Sequence, residues 1–578
     1  MHLRPHSFAM LATLLMVSAS PAFAQLPPAY ARCADSGSGL AEKIEACSWI
    51  LRSGQASGRN LALTYFNRGI AFGKQGNHDR AIADFSEAIR LSPENPGGYS
   101  NRAIAHAAKG ELDHSISDAS EAIRRNPNLA VAYRTRGTSY GRKGENSRAV
   151  SDLTEALRLD PNDARSYSNR STANANIGNT DQAIADASQA IRLDPNLASA
   201  YSARGMAYGR KGDHNRALVD FSEAIRIDPR SAGALAGRAM SLSNKGENDR
   251  AILDANEALR IDTKSAAAHN ARGIAYGRKR ETDLALQDFD EAVRLNPRNA
   301  SALSNRAIAH LNKDNLRQAF SDANAAITID PRSAIAFRVR GQVQWKQCNL
   351  EQAITDLNRS IQIDPTQALA FAYRGIAYGS KSDLDRANED LNRALRLDSK
   401  MALAHANLGV VYAKKGDFDR AIAQFSRAID IDPGRAGGYL SRGLAYAKKG
   451  DLDRAMAEMA KGVQLEPNSA LAHHYRGYIW LQKGDNDLAL VQFEKALQLD
   501  AKLAQSITGR GLVYERRGDK SRAKLEFNTA LGLPLKCGAS NWAHETATQR
   551  LSVLAGAVQA TALSIPAPDS FEVDDVTF

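Results

Sequence analysis

The sequence predicts an all-α solenoid, a row of helix pairs stacked side by side. Three observations carry that prediction. A 34-residue period runs from Ala62 to Cys537 without insertion, giving fourteen consecutive repeats. Within each repeat, small and apolar residues fall at positions 4, 8 and 11 and again at 20, 24 and 27, the spacing of two helical faces. Glycine near the middle of the repeat and proline near its end mark where each helix stops.

The second helix has the most regular signature. Position 20 is alanine from Ala81 onward, with Ser115 the single exception in fourteen copies. Position 27 is usually alanine too, as in Ala88, Ala122 and Ala156, and position 32 is usually proline, as in Pro93, Pro127 and Pro161. The first helix ends at position 15, where Gly76, Gly144 and Gly212 can take the left-handed backbone. Repeats seven to ten carry Arg280, Asp314, Cys348 and Ser382 there instead, and the array is expected to be least regular in that stretch.

These repeats resemble the tetratricopeptide repeat family, and "YRTRGTSYGRKGENSRAVSDLTEALRLDPND" (133–163) is similar to its consensus nearly throughout. The resemblance covers about four-fifths of the chain. It implies a right-handed superhelix of fourteen repeats with a concave groove lined mainly by first helices. One helix pair cannot bury its apolar face alone, so stability depends on stacking and on ends that tolerate water.

Both ends read as caps. Residues 1–24 hold one arginine and no acid, the apolar stretch "FAMLATLLMVSAS" and then "AFA", the pattern of a secretory signal cleaved after Ala24. Losing Arg4 takes the net charge from +11 to +10. An exported protein, in a bacterial periplasm, is expected, with no transmembrane segment in the mature chain. Residues 25–61 form an N-terminal cap in which 40–53 reads as a second helix without its first, and Cys33 and Cys47 read as a disulfide. Cys348 and Cys537 read as free thiols. Residues 538–560 read as a capping helix, and 561–578 as a mobile acidic tail.

Position 7 is arginine in every repeat but one, where Leu408 stands. Position 23 is aspartate in the first ten repeats, then Gln424, Glu458, Gln492 and Glu526. Arg68 with Asp84, Arg136 with Asp152 and Arg238 with Asp254 are therefore expected to join helices, within the pair or across to a neighbour. A line of arginines along the groove for an anionic polymer is the competing reading. It is opposed by helical phase, which turns position 7 inward, and by the match of charge, which only Arg476 with Gln492 breaks.

A second pattern has a period of two repeats. Over residues 62–333 position 24 alternates as Phe85, Ala119, Leu153, Ala187, Phe221, Ala255, Phe289 and Ala323, while position 8 alternates glycine with Ala103, Ser171, Ala239 and Ala307. Even repeats bury less apolar area and should be the softer joints. His106 and His310, at position 11 of even repeats, read as packed core histidines. The six repeats over 334–537 lose the alternation.

No catalytic or cofactor pattern holds up. "GIAYGSKS" (375–382) has the wrong glycine spacing for a phosphate loop, and HExxH and CxxC are missing from the sequence. The sequence therefore reads as a non-enzyme without a cofactor. The carboxylate clamp known in some relatives wants Lys and Asn at positions 5 and 9, and position 9 here holds Met206, Met240, Ile274 and Ile308. With Gln342, Leu311 and Trp345, these are the candidate groove contacts for a peptide or helix of another protein. Trp345 is read either as an exposed anchor or as packing on Leu311. The turns carry Arg142, Lys143, Arg210, Lys211, Arg278, Lys279, Lys414 and Lys415, a basic edge that is either solvated or docks on an anionic glycan, lipid headgroup or acidic protein. Nucleic acid is not expected, for want of an aromatic stacking platform.

Overall fold

The computed structural model describes residues 28–35, 37–534 and 542–556. The signal segment, Cys537 and the acidic tail lie outside the described residues. Those described form thirty-one helices and no strand. They divide into two compact units, one ending at Leu295 with the seventh repeat and the other beginning at Asn296.

The N-terminal cap differs from its sequence reading. Helix α1 (Pro28–Ala34) precedes α2 (Leu40–Ser53), so α2 does have a partner. "PAYARCA" is too short to show a helical period, and the bond to α2 holds it: Cys33 and Cys47 form a disulfide with Cα atoms 5.0 Å apart. Both sulfurs sit in a small core with Ala29, Ala46, Ile50 and Ala56. The first helix of repeat one, α3 (Gly58–Gln75), starts a turn before the repeat frame, and α4 (His78–Leu91) completes that pair.

Every later repeat has the same two helices, as in Ala232–Asn244 and Asn248–Ile261 of repeat six. Within each compact unit, each second helix packs on its own first helix and on the first helix of the following repeat. The alternation at positions 8 and 24 has a steric cause. A Cβ on Gly273 would lie 2.7 Å from the Phe289 ring, and one on Gly69 would lie 2.8 Å from Phe85. A large side chain at 24 therefore requires glycine at 8, whereas Ala255 and Ala323 allow Ala239 and Ala307. Phe221 is gripped twice, since a Cβ on Gly237 of the next repeat would approach it to 2.5 Å.

The two units differ in how their cores connect. In the first, buried apolar side chains form separate small groups, such as Ala149, Leu153 and Ala173, or Ala217, Phe221, Ala224 and Ala234. In the second, one cluster runs from Trp345 to Ala547. It ends on a closing helix, Trp542–Leu554, whose Trp542 lies 6.1 Å edge-on from Tyr478 and whose Arg550 makes a two-bond fork to Glu515 at 2.7 and 2.8 Å.

The turns of repeats seven to ten keep the common geometry despite lacking glycine. Arg280, Asp314, Cys348 and Ser382 have φ of 64, 58, 70 and 62°, in the left-handed region where the glycines of the other repeats sit. The same two bonds close the turn in both kinds: Arg280 N–H to Gly277 O and Glu281 N–H to Tyr276 O, each 3.0 Å, match Gly144 to Gly141 and Glu145 to Tyr140.

Candidate functional site

The position-7 arginines that face an aspartate are not available to a ligand. Arg136 donates from Nε to Asp152 Oδ2 and from NH2 to Oδ1, both at 2.8 Å, while NH1 reaches Ser120 Oγ of the preceding repeat at 3.1 Å. Arg102 does the same with Asp118 and Ser86, and Arg238 with Asp254 and Ser222. Arg68 forks onto Asp84 and reaches back to Ser48 of the cap. Each guanidinium thus ties its own helix pair and the joint to its neighbour at once. The aspartates are nearly covered, and where position 4 is Tyr or Phe the arginine lies against that ring, as Arg204 does on Tyr201 at 5.8 Å.

Position 25 was invisible in the sequence reading. It is Ser, Thr or Asn where the clasp is complete, and its oxygen accepts from the arginine while, in Ser86 and Ser120, the hydroxyl donates to the carbonyl four residues back. Departures from aspartate loosen the clasp. Glu458 receives one bond from Arg442 NH2, and Arg442 Nε and Glu458 Oε2 are buried without a hydrogen-bond partner, because the longer side chain loses the parallel fork. Where glutamine stands at position 23, His405 and His473 bond to Gln424 and Gln492 at 2.7 and 2.9 Å.

The cations of the basic edge also make contacts within the chain. The position-14 lysines pair with the acid at position 18 of the preceding repeat: Lys211 with Asp181 at 2.6 Å, Lys279 with Asp249 at 2.8 Å and Lys415 with Asp385 at 2.6 Å, as Lys143 does with Asp113. The position-13 cations reach the end of the preceding first helix. Arg278 donates to Ser243 O at 2.7 Å and Asn244 Oδ1 at 2.8 Å, Arg210 to Asn176 Oδ1 at 2.8 Å, Lys414 to Gly379 O at 3.4 Å and Arg142 to Ala107 O. A cation there satisfies a carbonyl at the negative end of the helix dipole. The acids concerned are mostly solvent-exposed, so each pair contributes little alone, in the range of ~0–1 kcal/mol.

The first-helix face differs between the two compact units. In the first, Met206, Met240 and Ile274 are half-buried, with an apolar surface still open to contact. In the second, Ile308 and Leu311 are half-buried, but Gln342 and then Ile376, Val410, Leu444, Tyr478 and Leu512 at the same position are buried. Trp345 is buried too, at 6% exposure, which overturns its reading as an exposed anchor. Its Nε1 donates to Ser380 Oγ at 3.1 Å and its ring lies 6.4 Å from Tyr373, both on the following repeat. Beside it Arg338 is buried, donates to Gln342 Oε1 at 3.2 Å, and has its pKa lowered by burial.

Tetratricopeptide-repeat family models match residues 62–95, 198–231, 270–334, 374–436 and 413–476, and a TPR-repeat model matches 175–212. No curated protein matches the sequence. Among solved structures, the chain is similar to the APC/C hetero-tetramer Cut9–Hcn1, at 15% identity and TM-score 0.50, over 81% of this chain and 98% of that one. It is also similar to yeast Tom70, at 17% identity and TM-score 0.32 over 80% and 98% of the two chains. Human IFIT1, solved as a dimer with m7Gppp-AAAA, matches at 17% identity and TM-score 0.41 over 67% and 94%.

Proposed function

From the premise that this chain is a tetratricopeptide-repeat protein, a non-catalytic scaffold for interaction with other proteins, we propose that it binds a peptide or helical segment of its partner along the first-helix face. The observation that supports this reading most is the contrast in availability. The charged ladders are occupied by contacts within the chain, while Met206, Met240 and Ile274 present half-buried apolar side chains on successive first helices of the first compact unit. Methionine adapts its shape to irregular partners, which suits such a surface.

Docking of the basic edge on an anionic glycan, lipid or acidic protein is the rival reading, and the paired lysines count against it. Export to an oxidising compartment is part of the proposal, supported by the Cys33–Cys47 disulfide.

Crosslinking from positions 206 and 240 in intact cells, with the captured protein then bound in vitro, tests the proposal. Affinity should fall at least about ten-fold in Met240→Lys and change little with salt or in Lys211→Glu. Binding that collapses with ionic strength and is lost in Lys211→Glu, with Met240→Lys neutral, would overturn it.

A further inference from the structure

We propose that His106, Glu111 and His114 form a binding site for one divalent transition metal of the zinc class, clipped across the turn of the second repeat. One ligand atom from each of the three residues lies within 4.8 Å of the other two. His106 is in the last turn of the helix Pro96–Lys109, Glu111 follows the left-handed Gly110, and His114 is in the first turn of the helix Leu112–Arg125. The helix hairpin itself brings them together.

The repeat frame shows what is unusual here. At these positions other repeats place an aromatic ring at 11 and an arginine over it at 19, with an acid at 16 that binds that arginine. In repeat three these are Tyr140, Arg148 and Glu145, with the guanidinium 5.5 Å from the ring centre and 2.7 Å from the carboxylate. In repeat two the ring and the cation are both replaced by histidine while the acid is kept. The substitution turns a stacking trio into two imidazoles and a carboxylate, the donor set that zinc, copper and nickel favour.

The surrounding geometry suits ligation. His106 Nδ1 is 2.6 Å from Glu111 Oε2, and its other nitrogen is 3.7 Å from Asp118, which Arg102 clamps. A carboxylate behind an imidazole is the arrangement that orients metal-binding histidines. Lys109 Nζ lies 2.6 Å from Glu111. On metal entry Lys109 keeps its other partner, Asp79, at 2.7 Å. The rings of His106 and His114 are stacked with centres 5.2 Å apart, and His114 is exposed and can swing inward. Ligand nitrogens sit about 3.3 Å apart around a tetrahedral ion, so a modest contraction completes three ligands, with water as the fourth.

Titration of the full mature chain with zinc, followed by calorimetry, and with cobalt, followed by visible absorption, tests the proposal. One ion per chain should bind with micromolar affinity, and tetrahedral cobalt bands should develop. His114→Ala and Glu111→Gln, neither of which touches the buried clasps, should each weaken binding at least about ten-fold. Absence of saturable uptake at millimolar metal overturns the site. Uptake unchanged in the His114→Ala/Glu111→Gln double variant overturns it equally, by placing the ion elsewhere.

Discussion

A single methyl group decides how two helices meet in each odd repeat. Gly273 faces the Phe289 ring at a distance that leaves no room for a Cβ, and Ala239 faces Ala255 without conflict. Gly273→Ala should therefore destabilise repeat seven by about 1–3 kcal/mol, the usual cost of overpacking, although alanine has the better helix propensity. Combined with Phe289→Ala it should cost less than the two effects summed, which local hydrogen exchange would register. The glycine–phenylalanine match was legible in the sequence as an alternation, and so was the pairing of position 7 with position 23. The third arm of the clasp was not, because Ser86 or Asn256 on a helix surface is ordinary by itself. Trp345 could be read either as an anchor or as packing on Leu311 for a related reason: its partners Tyr373 and Ser380 belong to the next repeat, and nothing at position 12 announces them.

At the scale of the element, the turn between the helices imposes its backbone on whatever residue stands there. Arg280, Asp314, Cys348 and Ser382 hold a conformation that costs an L-residue about 1 kcal/mol and glycine much less. Arg280→Gly and Ser382→Gly should each stabilise their repeats by up to about that amount, measured as a rise in the unfolding midpoint. The cross-repeat straps from positions 13 and 14 were read as a basic edge because their partners lie 30 to 35 residues back, beyond any helical spacing. The closing helix contributes a pH response. His474 is buried among Tyr475, Phe493 and Trp542, bonded through Nδ1 to Ser506 at 3.2 Å, and burial pushes its pKa down to about 3. A histidine depressed in the folded state leaves the unfolded chain binding more protons. Stability at the C-terminal end is thus full above pH 6.5 and falls as the pH drops toward 3. At pH 5 the loss should be about 2 kcal/mol, and His474→Leu should remove that dependence in a pH series of melts.

Across the whole molecule, charge is used mainly to join one helix to the next. The central claim is that the guanidinium ladder is framework and that binding is left to apolar side chains on the first helices. The most direct measurement is a double-mutant cycle on Arg238 and Asp254, read from native-state hydrogen exchange of the helices Ala232–Asn244 and Asn248–Ile261, since a repeat array need not unfold in one step. Arg238 is about a quarter exposed, so removing either partner should cost roughly 2 kcal/mol rather than the full value for a deeply buried pair. The double variant should cost little more than one single variant, a coupling of about 1.5 kcal/mol or greater. Additive losses, with no coupling between the two side chains, would contradict the account.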